Sequence, residues 1–176
     1  MRVVAGRLKG RIFASPRTKR THPMSDRMRG ALFNALGDIE DLTVLDAFAG
    51  TGAMAIESIS RGAQSAVAVE RDKSAHQTLE HNITALGCQD EIKVIRANVA
   101  SWSQLNPMQR FDIIICDPPY DEIQLNTLQQ LVDHLLEDGV YVLSLSADVA
   151  PVELEELALI KSKAHAGGSL HYYKQA

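Results

Sequence analysis

The segment DAFAGTGAMA, residues 46 to 55, follows the short apolar run Thr43 to Asp46 and leads into a helical stretch that reaches about Arg61. A strand, a glycine-bearing turn and a helix in that order open an α/β unit. Downstream the alternation continues. Ser65 to Glu70 reads as a strand, Lys73 to Leu86 as a helix and Ile92 to Arg96 as a strand. Phe111 to Cys116 is a further strand whose continuous centre, Ile113, Ile114 and Ile115, predicts burial on both faces. A helix from Leu125 to Leu136 then leads through Gly139 into a strand from Val140 to Leu145. Pro151 starts a last, acidic helix, and Ser169 to Lys174 closes the pattern as a strand. Short apolar runs alternating with helices predict a mainly parallel sheet covered on both faces.

Upstream of residue 41 the pattern changes. Val3, Val4 and Ile12, Phe13 flank a turn bearing Gly6 and Gly10, which predicts a small hairpin, and Ser25 or Asp26 caps a helix running to about Leu36. Pro16 to Pro23 is the one candidate linker. The chain therefore divides into an N-terminal basic hairpin and helix, 1–40, and an α/β domain, 41–176. With 176 residues it has the length of one ordinary domain.

Charge is unevenly spread. Nine cations, among them Arg2, Arg7, Lys9, Arg11, Arg27 and Arg29, stand against Asp26 alone in residues 1–30, a net +8 in a chain whose total is −4. A basic segment on an acidic body suits a protein that holds a polyanion with one part and works with the other, and a solvated basic tail is the plain alternative. No uncharged apolar run approaches the roughly 20 residues of a membrane span, and MRVVAGRLKGR is charged where a signal peptide needs an apolar core. A cytoplasmic location without membrane contact is expected. Cys88 and Cys116 lie far apart inside apolar segments, which predicts two reduced, buried thiols, and no histidine cluster has zinc-like spacing, so no metal is expected.

The spacing of Gly50, Gly52 and Ala55, with Glu70 placed 18 residues beyond Gly52, also fits a dinucleotide fingerprint. Asp46 separates the readings. A pyrophosphate at this turn would face that carboxylate, whereas S-adenosylmethionine brings a sulfonium and an ammonium and no phosphate. Glycines at 50 and 52 let the backbone approach the ligand, and Glu70 can accept both ribose hydroxyls in charge-assisted bonds worth about 1.5 to 3 kcal/mol each. Asn98, just past the third strand, is either a contact to adenine or a plain turn residue. A nicotinamide dehydrogenase conflicts with Asp46.

The most specific tetrapeptide is Asp117-Pro118-Pro119-Tyr120, at the carboxyl end of the buried strand. Two prolines fix an extended turn without amide hydrogens, so Asp117 and the Pro118 carbonyl can both accept from one NH2 group. Such an amine is a poor nucleophile because its lone pair is delocalised. Two acceptors help turn the lone pair toward a methyl donor, and Tyr120 can stack on the ring that carries it.

Together AGRLKGR (5–11), HPMSDRMRGALFNAL (22–36), LDAFAGTGAMAIESISRGA (45–63), VERD (69–72) and DPPY (117–120) resemble the RsmD family, bacterial methyltransferases of guanine N2 in 16S ribosomal RNA. The resemblance implies the class I, Rossmann-like sheet of seven strands with an N-terminal β-hairpin and helix extension. It also implies S-adenosylmethionine as donor, and 16S rRNA or the small ribosomal subunit, assembling or assembled, as partner. It assigns Asp46, Phe48, Gly50, Gly52, Glu70 and Asn98 to the cofactor, Asp117, Pro118, Pro119 and Tyr120 to the target amine, and the basic segment to RNA. The family reads Arg-Pro-Thr where His22-Pro23-Met24 stands and carries an acid at Gly30, near the expected mouth of the cofactor site. DPPY-type motifs also serve enzymes that methylate adenine N6 in DNA, or glutamine in proteins. An adenine-N6 DNA methyltransferase usually carries a target-recognition domain for which 176 residues leave little room. A non-catalytic RNA-binding assembly factor is the alternative from another class, and a monomer is expected.

Overall fold

The computed structural model describes residues 1–15, 24–119 and 123–176. Among them runs the order α1 (Asp26–Leu36), β1 (Thr43–Asp46), α2 (Ala53–Ser60), β2 (Ser65–Glu70), α3 (Lys73–Leu86), β3 (Ile92–Arg96), α4 (Val99–Leu105), β4 (Phe111–Cys116), α5 (Leu125–Val132), β5 (Leu135–Leu145), β6 (Leu157–His165) and β7 (Gly168–Gln175). The strands form one seven-stranded sheet in the order β3-β2-β1-β4-β5-β7-β6. Strands β1 to β5 pair in parallel, and β7 runs antiparallel to both β5 and β6. This is the expected class I methyltransferase architecture.

Each face of the sheet has its own core. One gathers α1, α2, α3 and the N-terminal residues against Val44, Ala66, Ile113, Ile115 and Val142. The other gathers α4 and α5 against Leu45, Ile114, Cys116 and Leu143. The three isoleucines of β4 thus point alternately into both, as the unbroken apolar run predicts. Cys88 and Cys116 are free and buried. No described helix is long and apolar enough to cross a membrane.

The N-terminal hairpin pairs through one antiparallel bridge, Arg2 with Ile12, and lies in the groove between α2 and α3. Val3, Leu8 and Phe13 belong to the same core cluster as Met28, Leu32 and Phe33 of α1 and Ile56 of α2, so the boundary near residue 40 does not divide the hydrophobic core. At the hairpin tip the Arg7 amide donates to the Ser60 carbonyl at the end of α2 (2.7 Å), and a Cβ on Gly6 would stand 1.7 Å from that same oxygen. Only glycine fits there, and its φ of +78° suits the turn.

Three expectations change. Residues after Pro151 form no helix: Glu156 takes φ +67°, and β6 then follows as an edge strand exposed along most of its length. Proline and acids resemble a helix start, but Leu157–His165 has no apolar stripe to bury and instead supplies β7 with a hydrogen-bonding partner. The helix expected to Leu136 stops at Val132, because Leu135 already pairs with Phe111. Gly30 does not face a cofactor: it is buried in α1, where an added Cβ would lie 3.2 Å from Val4 Cγ1, so the glycine seats the helix against the hairpin. Pro16 to Pro23, including His22 and Pro23, lies outside the described residues, whereas Met24 is buried.

Candidate active site

Strand order reverses between β1 and β4, and in an open α/β sheet the crevice at the carboxyl ends of two such strands is where ligands bind. Asp46 is the last residue of β1, Asp117 immediately follows β4, and Glu70 ends β2 on the other side. The register places Asp46 beside Ile115, and the Ala47 amide donates to the Ile115 carbonyl at 3.0 Å. The turn after β1 is fastened to β2: the Ala49 amide donates to the Val69 carbonyl (3.0 Å) and the Gly50 amide to Glu70 Oε2 (2.7 Å). Gly52, at φ +88° in the left-handed region, then caps α2.

Asp46 is 1% exposed. Its Oδ2 accepts from the Ala55 amide in the first turn of α2 (3.0 Å), while Oδ1 has no partner among the described residues. Burial pushes the carboxyl up to about 7; the Asp117 and Glu70 charges add to the rise and the Ala55 amide opposes it. A buried, unpaired carboxylate oxygen beside two further acids is costly in an empty site and is stabilised by an incoming cation. Glu70 Oε2 accepts from the Gly50 amide and Oε1 from the Asp72 amide (2.7 Å each), and the Arg71 amide adds a third bond, which leaves about one lone-pair position for a ribose hydroxyl. Burial raises its pKa, and these amides counter the rise.

Burial also raises Asp117 to about 6, and a hydrogen bond from Ser144 lowers it in part. Ser144 is a buried residue of β5, next to β4 in the sheet. Sequence reasoning misses it; the only signal is a hydroxyl inside an otherwise apolar strand. Pro118 is buried and Pro119 exposed at this rim, and Tyr120 lies outside the described residues. Phe48 packs partly buried against the cluster containing Leu45, Val69 and Val99. Asn98 serves the fold itself, since its Oδ1 caps α4 by accepting from the amides of Ala100 (2.9 Å) and Ser101 (3.3 Å).

The expected RNA residues separate into different places. Arg29 is corrected outright, because it is fully buried. It donates to Asp26 Oδ1 (2.8 Å) and lies 3.6 Å from Glu57, too enclosed to reach a nucleic acid. Arg2 pairs with Asp26, and Arg7 with Glu91, which precedes β3. Arg11 reaches the Ala85 carbonyl near the end of α3, and Lys9 is exposed. The tip carrying Arg7, Lys9 and Arg11 thus sits at the amino ends of the strands, opposite Asp117. Arg27 is exposed at the start of α1.

At the other end of the hairpin, Asn82 of α3 holds both neighbours. It accepts from the Ala14 amide (2.8 Å) and donates to the Ala14 carbonyl (3.1 Å) and to the Thr51 carbonyl in the glycine turn (3.0 Å).

The chain is 32% identical over 182 residues to a putative rRNA methyltransferase, YlbH, of Bacillus subtilis, covering 99% of each chain. It is also 32% identical to the ribosomal RNA small subunit methyltransferase D of Escherichia coli K12, over 88% of this chain and 74% of that one. The solved structure of the putative methyltransferase yhhF from Escherichia coli superposes with a TM-score of 0.84 at 27% identity, covering 99% of this chain and 97% of the other. The family model described as conserved hypothetical protein 95 matches residues 1–174. With a glycine turn, a buried acid and an Asp-Pro-Pro rim in place on the expected sheet, the chain belongs to this family, the RsmD methyltransferases.

Proposed function

We propose that the protein is an S-adenosylmethionine-dependent methyltransferase of ribosomal RNA that modifies the exocyclic N2 of a guanine in the 16S RNA of the small subunit. One observation carries this reading: three carboxylates, Asp46, Glu70 and Asp117, meet at one crevice, and the most buried of them keeps an oxygen unpartnered. The names of the relatives from Bacillus subtilis and Escherichia coli support an RNA substrate. When bound, the donor supplies an electrophilic methyl group on a sulfonium. Asp46 balances its positive charge, Glu70 accepts from the ribose, and the backbone at Gly50 and Gly52 leaves room for the nucleoside. Asp117 and the Pro118 carbonyl hold the two hydrogens of the amine, aligning the nitrogen for in-line attack. Bound there, the donor would give up its methyl group as the carbon–sulfur bond breaks, and the surplus proton of the methylated nitrogen would pass to ionised Asp117 or to solvent. Tyr120 stacks on the base, which must leave its own stack to reach this rim.

Mass spectrometry of ribosomal RNA from cells with and without the gene tests the assignment. A missing methyl on a guanine N2 of 16S RNA is the expected result, and a missing adenine N6 methyl in DNA would replace it with the rival substrate. A binding experiment addresses the donor. Because Asp46 titrates near 7 and a cation favours its ionised form, donor affinity is expected to be full above that pH and to fall as pH drops, by up to about tenfold per unit. Asp46→Asn should bind weakly and lose the step near pH 7. Calorimetric titration between pH 5.5 and 8.5 measures this, and a flat wild-type profile removes Asp46 from the donor site.

The basic hairpin is assigned to RNA backbone. Removing the charges of Arg7, Lys9 and Arg11 should reduce the salt slope of RNA binding by about 0.7 per lost phosphate contact. An identical slope would mean that the hairpin tip, on the edge away from Asp117, stays clear of the RNA.

A further inference from the structure

Among the described residues, some cations are paired with acids and others are not. Arg2, Arg7, Arg29 and Arg61 are each neutralised by a carboxylate. Arg27, Lys163 and His165 form no ion pair among the described residues, yet they share one corner. The register explains why. Leu145, at the carboxyl end of β5, pairs with Ser169, and Gly168 pairs with His165, so the β6–β7 turn stands on the same edge of the sheet as Asp117. Lys161, Lys163 and His165 alternate along β6 and face the side on which Tyr172 packs under α1. There Lys161 Nζ lies 5.7 Å from the Tyr172 ring centroid, and the Tyr172 hydroxyl donates to the Leu32 carbonyl. Arg27, in the first turn of α1, meets the end of this row. Burial first, then the charges of Lys163 and Arg27, hold the His165 imidazole below its ordinary pKa.

Lys163 and Arg27 repel each other and the protonated form of His165, and an anion placed among them relieves that repulsion. The corner also lies beside a crevice of opposite sign. Three strand spacings separate β6 from β4, roughly 14 Å at about 4.8 Å each, so a strand of RNA with its base at Asp117 passes over this corner within a few nucleotides.

We propose that Lys163 and His165, at the end of β6, and Arg27, at the start of α1, form a cradle for RNA phosphates on the catalytic edge of the sheet. It grips the backbone next to the target nucleotide while the acidic crevice takes the base. Lys161 extends the track down β6. The inference rests on the RNA reading of the active site, and it assigns the backbone contact nearest the chemistry to the far end of the chain as well as to α1.

The test compares the wild type with the Arg27→Ala/Lys163→Ala double variant and with Lys163→Arg. Methyl incorporation is measured on protein-free 16S RNA and on small-subunit particles lacking the modification. RNA binding is followed over a salt series, with S-adenosylhomocysteine binding as a check on the folded crevice. The double variant should raise KM for RNA about tenfold with kcat nearly unchanged, and lower the salt slope by about 1.4 to 1.8 for two lost phosphate contacts. Lys163→Arg should behave as wild type and S-adenosylhomocysteine affinity should hold throughout. If the double variant melts without cooperativity, Lys163→Glu alone carries the same comparison. Unchanged KM and slope in a variant that still methylates RNA overturn the cradle and leave the function standing. A KM that rises on particles with an unchanged slope on free RNA also overturns it, because the corner then meets a ribosomal protein. If wild-type protein methylates neither RNA substrate, the functional reading falls and the cradle with it.

Discussion

Replacing Asp117 by alanine is expected to lower methyl transfer by about a hundredfold to a thousandfold while donor affinity survives, the usual scale for losing one preorganised polar partner at a reacting centre. The carboxylate stands at the rim of the crevice, set by Pro118 and by the hydrogen bond from Ser144. Alanine leaves the Pro118 carbonyl as the remaining acceptor, so the amine is free to rotate its lone pair out of line. It also removes a negative charge that raises Asp46, which favours ionised Asp46 and keeps the donor bound. The pH profile gives a second signature. Asp117 is raised to about 6 by burial, so its acceptor form is present above that pH and is lost as pH falls through it. At saturating donor, single-turnover rates on 16S RNA should therefore decline on the acid side near pH 6, and Asp117→Asn should lose that limb. A rate unaffected by the alanine substitution removes Asp117 from the mechanism.

Arg29→Met is expected to destabilise the fold by about 3 to 5 kcal/mol, the scale for breaking a buried ion pair by deleting one partner. Arg29 is fully buried between Asp26 and Glu57, and its Nη2 also donates to the Arg2 carbonyl. Glu57, only 1% exposed, uses its two oxygens to accept from the amides of Val4 (2.8 Å) and Ala5 (3.0 Å) and from Arg61 (2.8 Å). Arg29 thus shares charge with the carboxylate that fastens the hairpin to α2. Methionine fills the volume but leaves Arg61 as the only cation beside Glu57. Urea unfolding measures the loss, and Arg27→Met, two residues earlier and exposed, is the control that should remain near wild type. Equal stability of the two variants would mean that the buried pair contributes nothing net.

Arg29 also marks where sequence reading fails. Counted among its basic neighbours it looks like one more RNA contact, yet it lies three and four residues before Leu32 and Phe33 and next to Met28, on the apolar side of α1. Composition hid what periodicity could have found. The strands that form the crevice are legible because β1 and β2 are apolar runs ending in an acid and β4 is one followed at once by Asp117, where chemistry and pattern coincide. Strand β6 was not, since a solvent-facing edge strand has no apolar alternation and its only specification is pairing with β7. Asn98 illustrates a third difficulty: one amide can satisfy helix α4 or meet a ligand, and the sequence is the same in both cases. Ser144 needed the sheet order itself, because nothing local says that β5 runs beside β4.

Because β7 inserts between β5 and β6, the nascent chain cannot seal its sheet in the order it is translated. Helix α1 emerges early, yet its Leu32 carbonyl waits for the hydroxyl of Tyr172, 140 residues later. The stretch from Leu145 to Gln175 takes a few seconds to synthesise at about 5 to 20 residues per second, and for that interval β5 presents an open edge. Contacts this distant in sequence also slow folding, so the edge of β5 stays open until β7 docks. A chain truncated before Gly168 should accumulate as a chaperone client.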